Sequence, residues 1–330
     1  MNFDQLFADF EKIKIVIIGD IMLDTYWWGH VDRISPEAPV PIVALSKKEL
    51  RVGGAANVAL NTASLGASTA IISVIGNDAD GDQLKLMLSK KNIDVTAVIS
   101  SSKRITTNKM RVMSRNQQMM RLDTEITTDI DADLEDQFIE SIDKYIKEEH
   151  PQILIFEDYN KGVLTKKVIE EVTAICIANK VITAVDPKRK NFLAYKNVTL
   201  FKPNIKEVKE GLNLTIDQID VEALNKIHQS LVKELNHSIS FITLSEKGVF
   251  YQHKNESLII PTHIRNIADV SGAGDTVIAV ASLVYASTKN MHLAAEMANI
   301  AGGLVCEEVG TAAIDKGKLL AECQLLLTTV

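Results

Sequence analysis

Ile13-Lys14-Ile15-Val16-Ile17-Ile18-Gly19-Asp20 is a short apolar run that stops at a glycine and an acid. A run of this length reads as a buried strand, and the polar residues after it are delivered to the rim of a sheet. The stretches 70–75, 153–156, 181–185 and 240–244 repeat the pattern. Between them lie helical stretches at 55–65, 81–90, 134–149, 166–179 and 219–235. Strand alternating with helix predicts an α/β fold with a largely parallel sheet covered on both faces. Ligands of such sheets gather beyond the carboxyl ends of the strands, so Asp20, Asp24, Glu157, Asp158, Asp186 and Ser245 come first as site candidates.

Two stretches break this rhythm. The segment 27–48 holds Pro36, Pro39 and Pro41 before a strand-like run at 40–45, and 105–123 mixes β-branched and long side chains without a helical stripe. Both read as strands outside the main sheet, either a small lid or ordinary surface hairpins.

With 46% hydrophobic and 24% charged residues in 330, the chain has the make-up of a soluble globular protein with a sizeable core. A net charge of −7 gives no reason to expect nucleic-acid or acidic-membrane partners, although a local Arg and Lys cluster could still bind an anion. The three cysteines, Cys176, Cys306 and Cys323, are far apart and form no C-x-x-C pair, which argues against a disulfide framework or a zinc site. The start of the chain lacks the basic and apolar regions of a secretory signal, and no apolar run reaches the roughly 20 residues of a membrane span. The expected setting is the cytoplasm.

The strongest local signal is Asp269-Val270-Ser271-Gly272-Ala273-Gly274-Asp275-Thr276, followed by an apolar helix at 277–285. Small residues at Gly272, Ala273 and Gly274 let backbone amides approach an anion, and the helix adds the positive end of its dipole. Asp275, in the first helical turn, could take the proton of an attacking hydroxyl while the amides stabilise a phosphoryl group. The plainer alternative is a glycine turn with an acidic N-cap. Gly53-Gly54-Ala55-Ala56-Asn57-Val58-Ala59 is the second signal: a double glycine ahead of a helix, with Asn57 offering both donor and acceptor to a polyhydroxylated ligand. Tight strand–helix packing would explain it as well. P-loop, dinucleotide-binding and serine-hydrolase motifs are absent from the sequence.

Together, in this order and spacing, the two signals resemble the signatures of the ribokinase-like (PfkB) carbohydrate kinases, over about Ile13 to Ala313. The resemblance implies a three-layer α/β/α kinase domain spanning 1–330, with lid segments near 25–50 and 103–123. It implies ATP and Mg²⁺ as cofactors and Asp275 as base, with the anion hole at Gly272, Ala273 and Gly274. Asp24, Gly53, Gly54 and Asn57 match acceptor-sugar positions of the family. Asn204 and Glu207 match its N-x-x-E element, which organises Mg²⁺ through water, while Lys202, Asn204, Ser245, Gly248 and Asn299 fall at nucleotide positions. Asp269 and Ser271 match residues that bind a monovalent cation, K⁺, in many members.

Within that family, 33–41, 114–123, 158–162 and 186–188 look like the kinases of D-glycero-β-D-manno-heptose 7-phosphate, which phosphorylate O1 on the route to ADP-heptose and lipopolysaccharide. For such a substrate Arg33, Arg111, Arg115, Asn116, Gln118, Asp158 and Lys161 are the further binding candidates, since guanidinium groups grip a phosphate bidentately. Any one of these cations could instead be solvated lid surface. Met110 and Val112 alternate with Arg111, so an apolar lid face could pack a second copy as a homodimer. Val52 stands where relatives often have proline, and Glu157 where a small residue is expected. Many relatives continue into a nucleotidyltransferase domain, which is not expected within these residues. The rival readings are a kinase of fructose 1-phosphate or 6-phosphate and a non-catalytic sugar-phosphate or nucleotide sensor.

Overall fold

The computed structural model describes residues 2–115, 117–215, 218–263 and 265–327. In chain order its strands are β1 (Lys14–Gly19), β2 (Ile21–Ile34), β3 (Pro41–Gly54), β4 (Ser68–Ile72), β5 (Val74–Gly76), β6 (Ile99–Ser101) and β7 (Thr107–Ser114). They continue as β8 (Gln117–Thr124), β9 (Ile153–Glu157), β10 (Ile182–Asp186), β11 (Leu200–Phe201), β12 (Ile239–Thr243), β13 (Val249–His253) and β14 (Glu256–Ile260). Eight of them form one sheet in the order β14-β13-β12-β11-β10-β9-β1-β4. Neighbours from β4 to β12 pair in parallel, and β13 and β14 close the far edge as an antiparallel hairpin.

Alternation along each strand sorts apolar side chains onto the two faces of this sheet. Ile15, Ile17, Ile71, Ile155 and Phe241 pack in one core with helices Ala55–Ser64, Ala273–Thr288 and Met291–Val305. Val16, Ile18, Ile72, Leu154, Phe156 and Ile242 pack in the other with helices Ala132–Glu149, Lys166–Ala178 and Val221–Leu235. The helices on this second side start where side chains cap them: Asp131, Thr165 and Asp220 each accept from a backbone amide three residues on. The result is the three-layer α/β/α arrangement predicted from the alternation of runs.

β4 lies on one side of β1 and β9 on the other, so the winding reverses between β1 and β9. A crevice opens at the carboxyl ends of strands at such a point.

β3, β2, β7 and β8 form a second sheet in that order. β2 begins one residue after β1 ends, so this lid grows directly out of a central strand. Both stretches set apart in the sequence contribute to it, and β2 and β3 run beyond the bounds of the first one. Register aligns Asp24 with Lys109 and Asp123, and Tyr26 with Arg111 and Arg121. The alternate positions align Thr25 with Met110 and Leu122, and Trp27 with Val112 and Met120. Because side chains alternate, the lid has one polar and one apolar face. No helix among the described residues is long and apolar enough to cross a membrane.

Candidate active site

Asp20, Glu157 and Asp186 stand at the carboxyl ends of β1, β9 and β10, at the reversal in winding. Helix Ala273–Thr288 brings Asp275 to the same place in its first turn, where the side chain is 4% exposed. The two glycine signals meet here: Asn57 Nδ2 donates to Asp275 Oδ2 at 2.8 Å, across 218 residues of sequence. Gly272, with φ 80°, sits where an added Cβ would come within 2.8 Å of that same Asn57 nitrogen. Close approach also explains Gly53, whose Cβ would lie 2.4 Å from Asp24 Oδ2.

The other oxygen of Asp275 accepts from the Tyr159 hydroxyl at 2.6 Å. Burial raises the Asp275 carboxyl above the ordinary range, and the Tyr159 and Asn57 hydrogen bonds pull it part of the way back. A raised but hydrogen-bonded carboxylate suits a base that must receive a proton during the reaction.

Lys202 is almost fully buried, and its Nζ lies 2.7 Å from Asp186 Oδ2. The same nitrogen is 3.6 Å from the Cβ position of Gly274, so a cation stands beside the glycine turn. Lys188 bridges Asp186 Oδ1 and Glu207 Oε1, each at 2.9 Å. Burial opposes the charge of Lys202, but Asp186 and Glu207 outweigh it and its pKa is raised. Burial would also raise Asp186, but the two lysines hold it below its ordinary value. An anion entering between the turn and Lys202 meets fixed positive charge at the head of a helix.

Glu157 is fully buried, and neither carboxyl oxygen has a hydrogen-bond partner. Its carboxylate lies with those of Asp186 and Asp275, with oxygens within 4.8 Å of one another. Burial first, then the charges of Asp186 and Asp275, push its pKa well up, which favours the neutral acid, while Lys188 and Lys202 oppose the rise. The sequence put Glu157 among the strand-end site candidates and marked it as a departure from the family, without assigning it a chemical role.

Asp20 organises the loop after β9, its carboxylate accepting from the amides of Tyr159, Lys161 and Val163 at 2.9, 3.0 and 3.2 Å. Asp158, a substrate-binding candidate, has both carboxylate oxygens engaged within the fold. Its oxygens accept from Asn160 N and the buried Tyr195 hydroxyl, both at 2.8 Å, and burial raises its pKa to about 6. Lys161 pairs with Glu125 at 2.7 Å.

On the polar lid face, Asp24 pairs with Arg111 at 2.5 Å, and Lys109 Nζ stands 5.4 Å from the Tyr159 ring centroid. Arg33, Arg115 and Gln118 are exposed toward the far end of the lid. Arg33 is nine positions beyond Asp24 along β2, about 30 Å of extended chain, so the fold does not bring it to Asp275. Asn116 lies outside the described residues.

Among the residues matched to nucleotide and metal positions, Asn204 and Glu207 form a capping box at the start of helix Ile205–Gly211. Their amide and carboxylate oxygens are hard donors of the kind hydrated Mg²⁺ takes, at a point already tied to the cleft through Lys188, so they fit that metal. Gly248 closes the turn after β12, where Ser245 is exposed, and Asn299 donates to the carbonyl of Pro261 at 2.8 Å. Asp269 accepts from the amide and hydroxyl of Ser271 at 3.0 and 2.8 Å and from Gly310 N at 2.9 Å, which braces the loop ahead of the helix.

Residues 12–316 match the pfkB family carbohydrate kinases. The bifunctional protein HldE of Geobacter sulfurreducens is 35% identical over 320 residues, which cover 97% of this chain and 64% of that protein. Its counterpart of the same name in Campylobacter curvus is 37% identical over 310 residues, covering 94% and 64%. The chain thus spans just under two thirds of the length of these curated relatives. Among solved structures, Escherichia coli phosphofructokinase-2 in complex with potassium superposes with a TM-score of 0.78 at 19% identity, covering 94% of this chain and 99% of that one. Arabidopsis thaliana ribokinase complexed with ribose and ATP gives 0.72 at 16% identity, covering 93% and 98%. Both share the ribokinase-like fold found here. The family match leaves only short ends of the sequence outside it, and the chain belongs to the pfkB family of carbohydrate kinases.

Proposed function

We propose that this carbohydrate kinase transfers the γ-phosphoryl group of ATP to O1 of D-glycero-β-D-manno-heptose 7-phosphate, yielding the 1,7-bisphosphate. The observation that carries the kinase chemistry is the Asn57–Asp275 hydrogen bond at 2.8 Å, which joins the acceptor-side turn to the helix that would cradle the phosphoryl group. In this reading the sugar is held between Asp24, the Gly53-Gly54 turn and Asn57. Asp275 takes the proton of the accepting hydroxyl as its oxygen attacks phosphorus. Amides at Gly272, Ala273 and Gly274, with Lys202, stabilise charge on the moving group. Asn204 and Glu207 would hold hydrated Mg²⁺, which supplies charge neutralisation on the nucleotide phosphates. Lys202, Ser245, Gly248 and Asn299 border the nucleotide, and Asp269 and Ser271 would hold K⁺.

Two findings support a phosphorylated acceptor. The relatives named HldE align over nearly the whole chain. The lid face that carries Asp24 also carries Lys109, Arg111 and Arg121, a cationic surface suited to a sugar phosphate. The opposite, apolar face of the lid suits a second copy, and we include a lid-to-lid homodimer in the proposal. ATP as donor makes the cytoplasm the setting.

An acceptor panel with ATP and Mg²⁺, with the position of the new phosphate determined, tests this reading. Turnover is expected to be fastest with the heptose 7-phosphate, with the new phosphate on O1. Faster turnover of fructose 1-phosphate or 6-phosphate would replace the acceptor while keeping the kinase. No transfer to any sugar despite ATP binding would point to a sensor.

A further inference from the structure

A base that activates a sugar hydroxyl is equally able to activate water. Asp275, buried beside the carboxyl ends of β9 and β10, must be uncovered to admit both substrates, so an empty acceptor site would expose it to solvent and hydrolyse ATP. The side chain that bears on this is Tyr159. Its hydroxyl donates to Asp275 Oδ1 at 2.6 Å, within the distance at which an accepting hydroxyl must lie to lose its proton to the base. Asn57 engages the remaining oxygen, so both oxygens of the carboxylate have a protein donor.

The rest of the residue is arranged around this contact. Its backbone amide is pinned by Asp20 Oδ2 at 2.9 Å, so the ring can leave the base only by rotating its side chain. The ring lies against the double-glycine turn, with Cδ2 3.5 Å from the Cβ position of Gly54. Two cations stand over it: Lys109 Nζ from the lid at 5.4 Å and Lys188 Nζ from the loop after β10 at 5.3 Å from the ring centroid. Each contact favours the ring where it is. Burial and the nearby carboxylates keep the phenol protonated, hence a donor to the base.

We propose that Tyr159 is a placeholder for the acceptor: its hydroxyl occupies the reacting hydroxyl's position on Asp275 and excludes water until a sugar displaces it. Lys109 couples the two events, because it belongs to the polar lid face, and an anionic sugar arriving there competes with the ring for its charge. When the ring is absent, water takes the sugar's part. Its oxygen bonds to the γ-phosphorus, the bond to the β,γ-bridging oxygen breaks, ADP departs with the electron pair, and the proton passes to Asp275. This inference rests on Asp275 being the base.

The experiment measures ADP release from ATP and Mg²⁺ in the absence of any sugar. Tyr159→Phe keeps the ring and removes the hydroxyl. It is expected to raise acceptor-free hydrolysis by about tenfold, the scale of one hydrogen bond to a charged acceptor. Sugar phosphorylation should persist in the same variant, and adding Asp275→Asn should abolish the extra hydrolysis. Unchanged hydrolysis in Tyr159→Phe, or a rise that survives Asp275→Asn, overturns the placeholder. So does a loss of sugar transfer without any gain in hydrolysis, which would make Tyr159 a positioning residue for the base. Near-normal sugar transfer in Asp275→Asn alone would instead remove the base reading, a separate outcome. Should Tyr159→Phe fail to fold, the wild-type enzyme answers the same question with 1-deoxy-heptose 7-phosphate, which can displace the ring but cannot accept phosphate. The analogue should stimulate ADP release, and competitive binding without stimulation rejects the idea.

Discussion

Glu157 shows how much one buried group can depend on its surroundings. Its carboxyl is fully buried with no hydrogen-bond partner, beside two carboxylates already neutralised by lysines or hydrogen bonds. An ionised third acid there would face desolvation and repulsion that Lys188 and Lys202 only partly offset, and a neutral acid avoids it. Because its folded pKa is raised, the folded chain keeps a proton that the unfolded chain loses once pH passes the ordinary glutamate range. Stability therefore falls as pH climbs from there toward the raised value. Glu157→Gln removes that loss while preserving size. The variant should gain stability relative to wild type between about pH 5 and pH 8, read from urea midpoints at both. An unchanged difference would mean that Glu157 is ionised in the fold, its charge balanced by Lys188 and Lys202.

Among the elements, the turn ahead of helix Ala273–Thr288 depends on backbone geometry more than on side-chain chemistry. Gly272→Ala would put a Cβ 2.8 Å from Asn57 Nδ2 in a left-handed conformation. The backbone cost is about 1–2 kcal/mol. Displacing Asn57 from Asp275 should also lower kcat by about tenfold or more, since a small misplacement of a catalytic group is costly. Steady-state kinetics beside thermal unfolding checks this, and normal kcat with reduced stability would confine Gly272 to a structural role. The sequence already exposed this turn and the double glycine, because both demands are local. It also exposed the five parallel strands that opened the reading, whose runs are mostly apolar, although the stretch 70–75 divides at Ser73 into β4 of the main sheet and β5 of a two-stranded one. β11 is too short to leave a pattern, and the two glycines in Met291–Val305 hid a buried helix. The β13–β14 hairpin had a usable signal in Lys254-Asn255, a two-residue turn with Lys254 at φ 54° between strand-like runs. Tyr159 lay within the stretch 158–162 matched to the subgroup, but its contact with Asp275 spans 116 residues and follows from topology.

At the scale of the whole molecule, the lid's two faces have different partners. Met120 and Leu122 are 56% and 49% exposed on the apolar side, aligned with Val112 and Met110. Apolar rows of this kind mark interaction surfaces, and the occupant proposed for this one is a second lid. Met120→Lys combined with Leu122→Lys should shift light-scattering mass from two chains to one. A wild-type chain already monomeric at assay concentrations would refute the pairing. Lys109 through Arg115 alternates plainly enough for the two faces to be read from sequence. The distance of Arg33 and Arg115 from the base could not be read, because it depends on how far the strands run outward.

The junction of β1 and β2 consists of Asp20 alone. Its amide donates to Glu157 O, its carbonyl accepts from Ala55 N, and its side chain gathers the Tyr159 loop. The long arm from Ile21 to Ile34 is thus joined to β1 through one residue, and β3 returns to the core at Gly54, directly ahead of helix Ala55–Ser64. A shift of the lid would therefore bear on the residue that anchors the phenol on the base, because no loop lies between Gly19 and Ile21 to absorb it.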